Sequence, residues 1–596
     1  MNAIKNIISF GWKTTVETID DRLDRYSPVC LMAVTAIGVY TLSKYSDYYY
    51  SFAKRKSLAD YAGRWIAGLP FIRYKLQQQI QKEFEQFRIE VSRMWKPFGK
   101  PYTKIPEKGL GEYELLKLID SYVEKTMAPL VNQQMSGTVY SNSLTTNPPD
   151  YPIYEFPEEL TYRPPTDFQK VFTYAFQRTY LFNSLHTKEF SVGSFIKYQI
   201  VQMVSHSHGG HKHEAMGFVT RGGTESNMIV VRAMGNWGKE KGIKIGERVI
   251  IAPDSVHASI MKAGEAYGIH VVLIPTNRKG EVDMNRIQEA AQFYKDSLVG
   301  LVCSTPSYAK GAIDPVVKFA KIARNQGVAL HVDCCLGGFV QEYVHNTKFL
   351  AIDGVTSLSV DTHKNGCAPK GSSVLVTKKL PNQNNLAYYA FYAIPGWTGG
   401  VYGTPSDAGS EPVTGALQAL LAIVGIGEQG YREKATRIRE STLQLASTIR
   451  ETEGLKLIRE PDLHVITFEI DPIKGWREGA IYELAHQLEI RGFTFNALLD
   501  EALHFCVTDR FASDKTAIDR LKQAFKEALI AVKTLNETCH IFAKARMYCS
   551  LRKALAPDLK DHSLADYVKN SLLGSQAAEA IVKQFYCALA NPQHAL

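Results

Sequence analysis

The sequence predicts an α/β fold in which a mostly parallel central sheet is followed by a smaller α+β domain. Between residues 248 and 333, apolar runs alternate with amphipathic segments, beginning with RVIIAP, SVHASIMKAGEAYG and HVVLIP, an order typical of strand, helix and strand. Such alternation favours parallel strands joined by right-handed crossovers. Past about Gly399 the pattern changes to a long helix and then to strands and helices in mixed order, which predicts the second domain.

The composition is that of a globular protein. Of the 596 residues, 45% are hydrophobic and 22% are charged, values that exclude disordered and collagen-like classes. The net charge of +9 is spread along the chain without an arginine-rich tract, so we do not expect a nucleic-acid partner. Nine cysteines without paired spacing indicate a reducing compartment.

We expect five regions along the chain. They are an N-terminal segment (1–60), a helical and extended region (61–175), a large domain that carries the site (176–398), a small C-terminal domain (399–535) and a helical tail (536–596).

An uncharged run, SPVCLMAVTAIGVYTL, lies near the N-terminus. Its length is close to the ~17–25 residues of a membrane helix, and the tyrosine cluster after it suits a headgroup boundary. We therefore expect a single anchor over residues 27–43, with a buried core helix or an uncleaved signal-like segment as the alternatives. Because more positive charges follow the run than precede it, we expect the rest of the chain in the cytosol.

Two motifs at strand ends indicate an anionic and a cationic ligand group. In GFVTRGGTESN a strand ends at Gly223 and Thr224, where a helix begins, and a helix N-terminus with glycine backbone accommodates a phosphate. A plain turn is the alternative. Asp333 ends the strand VALHVD, and a buried carboxylate requires a cationic partner such as a protonated pyridine nitrogen. An arginine pair or a helix cap is the alternative there.

Two further residues complete the pattern. His257 follows the strand RVIIAP and is placed to lie on an aromatic cofactor, although a helix N-terminal histidine with local hydrogen bonds is the alternative. Lys364 follows a predicted strand in DTHKNG. Because His363 and Lys370 are close to it in sequence, we expect the pKa of its amine to be lowered, as a nucleophile requires. Two surface lysines beside a hairpin are the alternative.

The four elements are far less probable together by accident than any one alone. In chain order they are a phosphate cradle, a ring-stacking histidine, an acid for a pyridine nitrogen and a lysine for a Schiff base. This combination predicts pyridoxal 5'-phosphate as the cofactor.

The chain resembles the fold-type-I pyridoxal-phosphate enzymes of the group II decarboxylase branch and, within it, the sphingosine-1-phosphate lyase family. The resemblance runs from about Ser136 to Thr508, and DTHKNGCAPKGSSVL and LHVDCCLGGF are its most specific segments. The others are SGTVY, NSLH, GFVTRGGTESN, CSTPSYAKGAIDP, GWTGGVYGTPSDAGS and LHFCVT.

The resemblance implies a role for each matching residue. Lys364 would bind the cofactor covalently, His257 would stack on its ring and Asp333 would partner the pyridine nitrogen. The implied phosphate cradle is Gly223, Thr224 and His363, with Ser410 reaching in from the other subunit of a homodimer. The implied substrate pocket is Tyr140, Asn183, His186, Tyr308 and Lys370, of which Lys370 or Tyr308 would carry protons.

The resemblance also implies a reaction. Sphingosine 1-phosphate, or a related phosphorylated long-chain base, would be cleaved between C2 and C3 into a long-chain aldehyde and phosphoethanolamine. An amino-acid decarboxylase and a membrane-anchored non-catalytic binding protein are the alternatives. The family further implies association with a membrane such as the endoplasmic reticulum, with the catalytic part in the cytosol, and a soluble cytoplasmic protein is the alternative.

Three features depart from the family pattern. Asn365 stands where an aromatic residue often follows the lysine, and Glu411 stands where an arginine is common. The segment SHSHGGHKH has no counterpart in the family, and without cysteine or a tetrahedral spacing we expect an exposed loop and no metal site.

Overall fold

The computed structural model describes residues 70–128, 166–210, 215–380, 384–394, 397–399, 402–471, 476 and 479–538. The predicted anchor over 27–43, Tyr140, residues 211–213 of the His-rich segment and nearly all of the predicted tail lie outside these ranges. The expectation of an exposed loop over the His-rich segment is wrong for its described part, because its first three residues end the helix Ser191–Ser207 and His208 is buried. Among the described residues, no helix combines the length and the apolar character that crossing a membrane requires.

The chain divides into two compact units, residues 1–94 and 95–596. Helix α1 (Pro70–Trp95), up to Met94, is the described part of the first unit, and it lies in the region predicted to be helical and extended. The second unit contains all the other elements.

Helices precede the sheet in the second unit. They are a short 3-10 helix (Lys96–Phe98), α2 (Glu112–Met127), α3 (Thr166–Thr179) and α4 (Ser191–Ser207). Phe195 of α4 lies 5.4 Å from Phe98 and 6.0 Å from Tyr122 of α2, measured between ring centroids. These buried rings attach the first helices to the main core.

A seven-stranded sheet forms the centre of the second unit. Its strands are β1 (Met216–Thr220), β2 (Val249–Pro253), β3 (His270–Ile274), β4 (Leu298–Ser304), β5 (Ala329–Asp333), β6 (Ser357–Val360) and β7 (Ser373–Thr377). The helices among them are α5 (Gly223–Glu240), α6 (Ala258–Tyr267), α7 (Met284–Phe293), α8 (Val316–Gln326), α9 (Gln341–His345) and a 3-10 helix (Phe349–Ala351). Every residue of β2, β4 and β5 is buried, as expected for parallel strands covered on both faces.

The strand order is β1-β7-β6-β5-β4-β2-β3, and β6, β5, β4, β2 and β3 are parallel. Only β7 runs antiparallel within this sheet, between β1 and β6. Ser304 pairs with Asp333, and Asp333 pairs with Ser359, so the carboxyl ends of three adjacent strands are level. The predicted fold class, an α/β protein with a mostly parallel sheet, is confirmed.

A second sheet follows in the chain. The connecting elements are α10 (Leu386–Ala390), the hairpin strands β8 (Tyr392–Ile394) and β9 (Tyr402–Thr404), and the long helix α11 (Val413–Glu451). The sheet is antiparallel with the order β10-β11-β13-β12, from β10 (Leu455–Leu457), β11 (Val465–Ile470), β12 (Asn496–Leu498) and β13 (Ala502–Cys506). Helices α12 (Ala480–Ile490), α13 (Asp509–Ser513) and α14 (Ala517–Thr538) complete it. Phe468, Phe495 and Phe525 contact one another in its core.

Candidate active site

A cavity of about 890 Å³ opens at the carboxyl ends of the parallel strands. Seven of the twelve residues predicted for the site line it: Gly223, Thr224, His257, Tyr308, Asp333, His363 and Lys364. They come from five separate strand-to-helix or strand-to-strand connections, which the level strand ends bring together.

The start of α5 forms one wall of the cavity. Gly222 is the N-cap residue of the helix at φ 144°, and it offers no side chain to cap the first turn. A Cβ atom on Gly223 would lie 2.7 Å from Cys335 Sγ and 2.8 Å from Asp361 Oδ1, so only glycine fits without displacement. An uncapped helix N-terminus with glycine backbone suits an anion such as a phosphate group.

Asp333 lies at the end of β5 and is buried. Its Oδ2 accepts a hydrogen bond of 2.9 Å from Asn227 Nδ2, and its Oδ1 accepts one of 3.1 Å from the backbone N–H of Cys335. Burial by itself would raise the pKa of this carboxyl, but His331 and the two hydrogen bonds lower it below its usual value. An ionised carboxylate here suits a protonated pyridine nitrogen.

Two residues of this network were missed in the sequence prediction. Asn227 lies in the first turns of α5, and its Oδ1 lies 3.1 Å from His331 Nε2. Burial lowers the pKa of His331 to about 4, so the ring is neutral at physiological pH. The available signal was spacing: His331 lies two residues before Asp333 and so faces the same side of β5.

His257 is both a helix cap and a cavity residue. Its Nδ1 accepts a hydrogen bond of 3.2 Å from the backbone N–H of Ser259, as the alternative interpretation proposed, and its side chain lines the cavity. Ser259 Oγ accepts a hydrogen bond of 2.8 Å from Asn227 Nδ2. The His257 cap is therefore connected to the hydrogen bonds of Asp333 through Ser259 and Asn227.

Lys364 lies in the turn after β6, and its Nζ is 3.0 Å from Asp361 Oδ2. The expected lowering of its pKa is wrong. Burial does lower the pKa of this amine, but the Asp361 carboxylate outweighs burial and raises it above the usual value. Proximity in sequence to two basic residues misled the prediction, because Lys370 Nζ instead points to the carbonyl of His363, 3.5 Å away.

Lys370 is exposed and is not among the residues that line the cavity. His363 does line it, and its Nδ1–H donates a hydrogen bond of 2.5 Å to the carbonyl of Ser372. The predicted role of Lys370 in substrate binding or proton transfer therefore stays a prediction.

Three other predicted residues are linked by hydrogen bonds to a residue of the cavity wall. Asn183 Nδ2 donates a hydrogen bond of 3.2 Å to Ser410 Oγ, and the Ser410 carbonyl accepts one of 2.8 Å from the cavity residue Arg221. His186 is exposed, and its backbone N–H bonds to the Asn183 carbonyl. Glu411, which replaces the family arginine, pairs with Lys197 at 2.5 Å.

Asn365 takes a specific place in the structure. Its Nδ2 donates to the carbonyl of Leu336 at 2.9 Å and contacts His464 Nε2 at 3.2 Å. Burial lowers the pKa of His464 to about 4, so its Nε2 accepts this bond. The amide thus connects the segment that carries Lys364 to the strand region before β11, a contact that a phenyl ring cannot make.

Tyr308 is contacted by a histidine from the second sheet. Its ring lies 4.5 Å from that of His504, edge to face. Burial lowers the pKa of His504 to about 4, and its ring bonds to Asn496 and to the carbonyl of Ala309. A neutral, anchored imidazole therefore holds one side of the tyrosine.

Comparison with known proteins agrees with this geometry. Residues 196–471 match the family model of the pyridoxal-dependent decarboxylase conserved domain. The fold is similar to sphingosine-1-phosphate lyase of Burkholderia pseudomallei, with TM-score 0.54, 24% identity and coverage of 78% of this chain and 92% of that one. It is also similar to glutamate decarboxylase of Lactobacillus brevis, with TM-score 0.55, 18% identity and coverage of 64% and 88%.

The fold and the site together define a fold-type-I pyridoxal-phosphate-dependent enzyme, and the residues fit that cofactor. The uncapped start of α5 suits its phosphate, Asp333 its pyridine nitrogen and Lys364 its aldehyde. Over 513 residues the chain is 30% identical to sphingosine-1-phosphate lyase 1 of Mus musculus, an alignment that covers 84% of this chain and 81% of that protein. The chain therefore belongs to the sphingosine-1-phosphate lyase family.

Proposed function

We propose that this enzyme cleaves sphingosine 1-phosphate, or a closely related phosphorylated long-chain base, into a long-chain aldehyde and phosphoethanolamine. The observation that carries the proposal is the 30% identity to the mouse lyase over 81% of that protein. The joint presence of Lys364, Asp333 and the start of α5 around one cavity supports it.

Each residue would have a separate task. Bound pyridoxal phosphate supplies an electron sink for cleavage of the bond next to the substrate amine. Lys364 would hold the cofactor covalently, and Asp333, with its lowered pKa, would keep a proton on the pyridine nitrogen. Gly223, Thr224 and His363 would bind the phosphate, and His257 would cover the ring.

A second group of residues would serve the substrate. Tyr308 is our candidate for moving a proton to or from the substrate, because it lines the cavity and His504 supports its ring. Tyr140, Asn183, His186 and Lys370 would bind substrate. We further propose that Ser410 contributes to the site of a second subunit.

A homodimer follows from that assignment. Phe391, Tyr392 and Trp397 are 46%, 53% and 52% exposed, in and beside the β8–β9 hairpin that precedes Ser410. A second copy covering these rings would remove apolar surface from water. Light scattering of the active enzyme should give twice the chain mass, and an active monomer would refute the shared site.

Membrane association is proposed from the sequence run over 27–43 alone. The substrate is an amphiphile that resides in bilayers, so an anchor would place the enzyme beside it. Flotation of the full-length protein with vesicles, compared with a chain that lacks residues 1–60, tests this; equal flotation of the two would contradict it.

The decisive experiment is detection of long-chain aldehyde by mass spectrometry after incubation with sphingosine 1-phosphate. We expect aldehyde from the wild type and from Lys318→Ala, which removes an exposed lysine of α8, and none from Lys364→Ala. Visible absorbance of bound pyridoxal phosphate without aldehyde would overturn the substrate assignment and direct attention to amino-acid decarboxylation.

A further inference from the structure

Asp361 is a buried acid in the site that the assigned roles leave unused. It follows β6 directly, and only 2% of its side chain is exposed. Its Oδ2 lies 3.0 Å from Lys364 Nζ and 3.5 Å from His363 Nε2. Within the described part of the chain, its Oδ1 has no hydrogen-bond partner.

The other titratable groups around Lys364 are mostly uncharged at neutral pH. Burial raises the pKa of the Cys335 thiol well above its usual value and that of Cys506 to about 12. Burial and the nearby charge of Lys364 lower the pKa of His464 to about 4. Asp333 is ionised, but it raises the pKa of Lys364 less than Asp361 does, because Asp361 is in direct contact with the amine.

Asp361 also packs against the start of α5. Its Oδ1 would lie 2.8 Å from a Cβ on Gly223, so the carboxylate packs against the first residue of α5. A negative charge at a helix N-terminus is stabilised by the helix dipole. The acid is therefore held between the phosphate cradle and the lysine by features of the fold itself.

We propose that Asp361 is the positioning residue of Lys364: it holds the free amine at the cavity wall as an ammonium ion, which gives up a proton to solvent before the lysine bonds to the cofactor. This inference rests on the proposed role of Lys364. It adds a residue for which neither the motif pattern nor the family resemblance assigned a function.

The proton balance is simple. One proton passes from Lys364 Nζ to solvent, which leaves a neutral amine beside Asp361. The lone pair of nitrogen then forms a bond to an aldehyde carbon. The carbonyl oxygen leaves as water, together with the two protons that remained on nitrogen.

The test is the pH dependence of cofactor loading, measured without any lipid substrate. Full-length protein stripped of cofactor receives saturating pyridoxal 5'-phosphate across neutral and alkaline pH, and visible absorbance gives the rate. Borohydride reduction followed by peptide mass spectrometry identifies the lysine that bonds. For Asp361→Asn we expect the midpoint of the rate profile to move to lower pH by about 1–3 units, the usual effect of removing an opposite charge at this distance.

Controls separate this effect from general damage. Thr362→Val removes a buried hydroxyl of the same turn, which donates to Ser372 Oγ at 2.7 Å, and should leave the midpoint unchanged. Asp361→Glu, which keeps the charge, should restore most of the wild-type profile. An unchanged midpoint in Asp361→Asn would overturn the proposal.

Two outcomes of the loading experiment can be measured on the wild-type protein alone. A wild-type midpoint at or above that of a free lysine amine supports the proposal even where Asp361→Asn fails to fold, and a midpoint well below it contradicts the proposal. Reduction that labels another lysine in the wild type would overturn the role of Lys364 and this inference with it. A failed lyase assay would leave both intact, because loading involves the cofactor only.

Discussion

Asn227 is the residue on which the polar contacts beneath the cavity converge. Its amide donates to Asp333 and Ser259, and its carbonyl oxygen lies within reach of His331. All three partners are buried, so each depends on this side chain for a hydrogen bond that water does not replace.

A substitution of Asn227 should therefore affect both stability and the cofactor. For Asn227→Leu we expect a loss of about 1–3 kcal/mol in the free energy of unfolding, the cost of leaving a buried polar partner unsatisfied. We also expect weaker binding of pyridoxal phosphate, because the pKa of Asp333 would rise. Urea unfolding and absorbance titration measure the two effects.

Asn236→Leu is the matched control, because it removes an amide of the same helix that donates to the carbonyl of Tyr389 at 2.9 Å. It should cost some stability and leave cofactor affinity unchanged. Equal affinity for pyridoxal phosphate in both variants would contradict a role for Asn227 in the site.

At the scale of elements, α11 is two helices joined at a kink. Gly427 adopts φ 70° and ψ 171°, a conformation open essentially to glycine alone. Beyond the kink, the N–H groups of Glu428 and Gln429 donate to the carbonyls of Pro106 and Glu107. Residues 106–107 thus accept hydrogen bonds from free N–H groups at the start of the second half of α11.

Gly427→Ala should lower the free energy of unfolding by about 1–3 kcal/mol or more, because strain at such a backbone angle adds to a steric conflict. The new Cβ would meet the backbone of Gly109 and of Lys108. Thermal melts followed by circular dichroism measure the loss.

Gly415→Ala in the same helix is the control. A Cβ there meets nothing within 4 Å, so the substitution should be neutral or stabilise by about 0.5–1 kcal/mol. Similar melting temperatures for both alanine variants would show that the kink carries no strain.

At the scale of the whole molecule, buried titratable groups set the response to acid. Burial is the main cause that lowers the pKa to about 4 in four histidines and raises it to about 7 in two acids: His208, His331, His464, His504, Asp314 and Glu342. Because the histidines bind protons more weakly when folded, their stability contribution is present above pH ~6.5 and is lost as pH falls towards the folded value. The acids act oppositely, since their contribution is lost as pH rises through about 7.

Between pH ~5 and pH ~6.5 acidification weakens the contribution of the four histidines and strengthens that of the two acids. Because the histidines outnumber the acids, acidification should destabilise the fold. Each proton that the unfolded chain binds and the folded chain does not is worth about 1.4 kcal/mol per pH unit. We expect the urea midpoint at pH ~5 to lie below that at pH ~7. Asp314→Asn should steepen the loss because it removes an opposing group, and a flat profile would contradict this account.

Much of the site could be predicted because strand-end residues are readable from local pattern. Gly223, His257, Asp333 and Lys364 each follow an apolar run, and in a parallel sheet the carboxyl ends of such runs meet at one edge. The type and order of elements, and the cofactor that these four residues suit, therefore followed from the sequence.

Other features were decided by the tertiary structure alone. The pairing of Asn227 with His331 spans 104 positions, the place of β7 between β1 and β6 depends on long-range pairing, and the Gly427 kink depends on a crossing segment. The charge state of Lys364 is the clearest case. Its sequence neighbours are basic residues, but its amine lies against a buried carboxylate. Electrostatic energies follow distance and burial in space, which periodicity along the chain does not record.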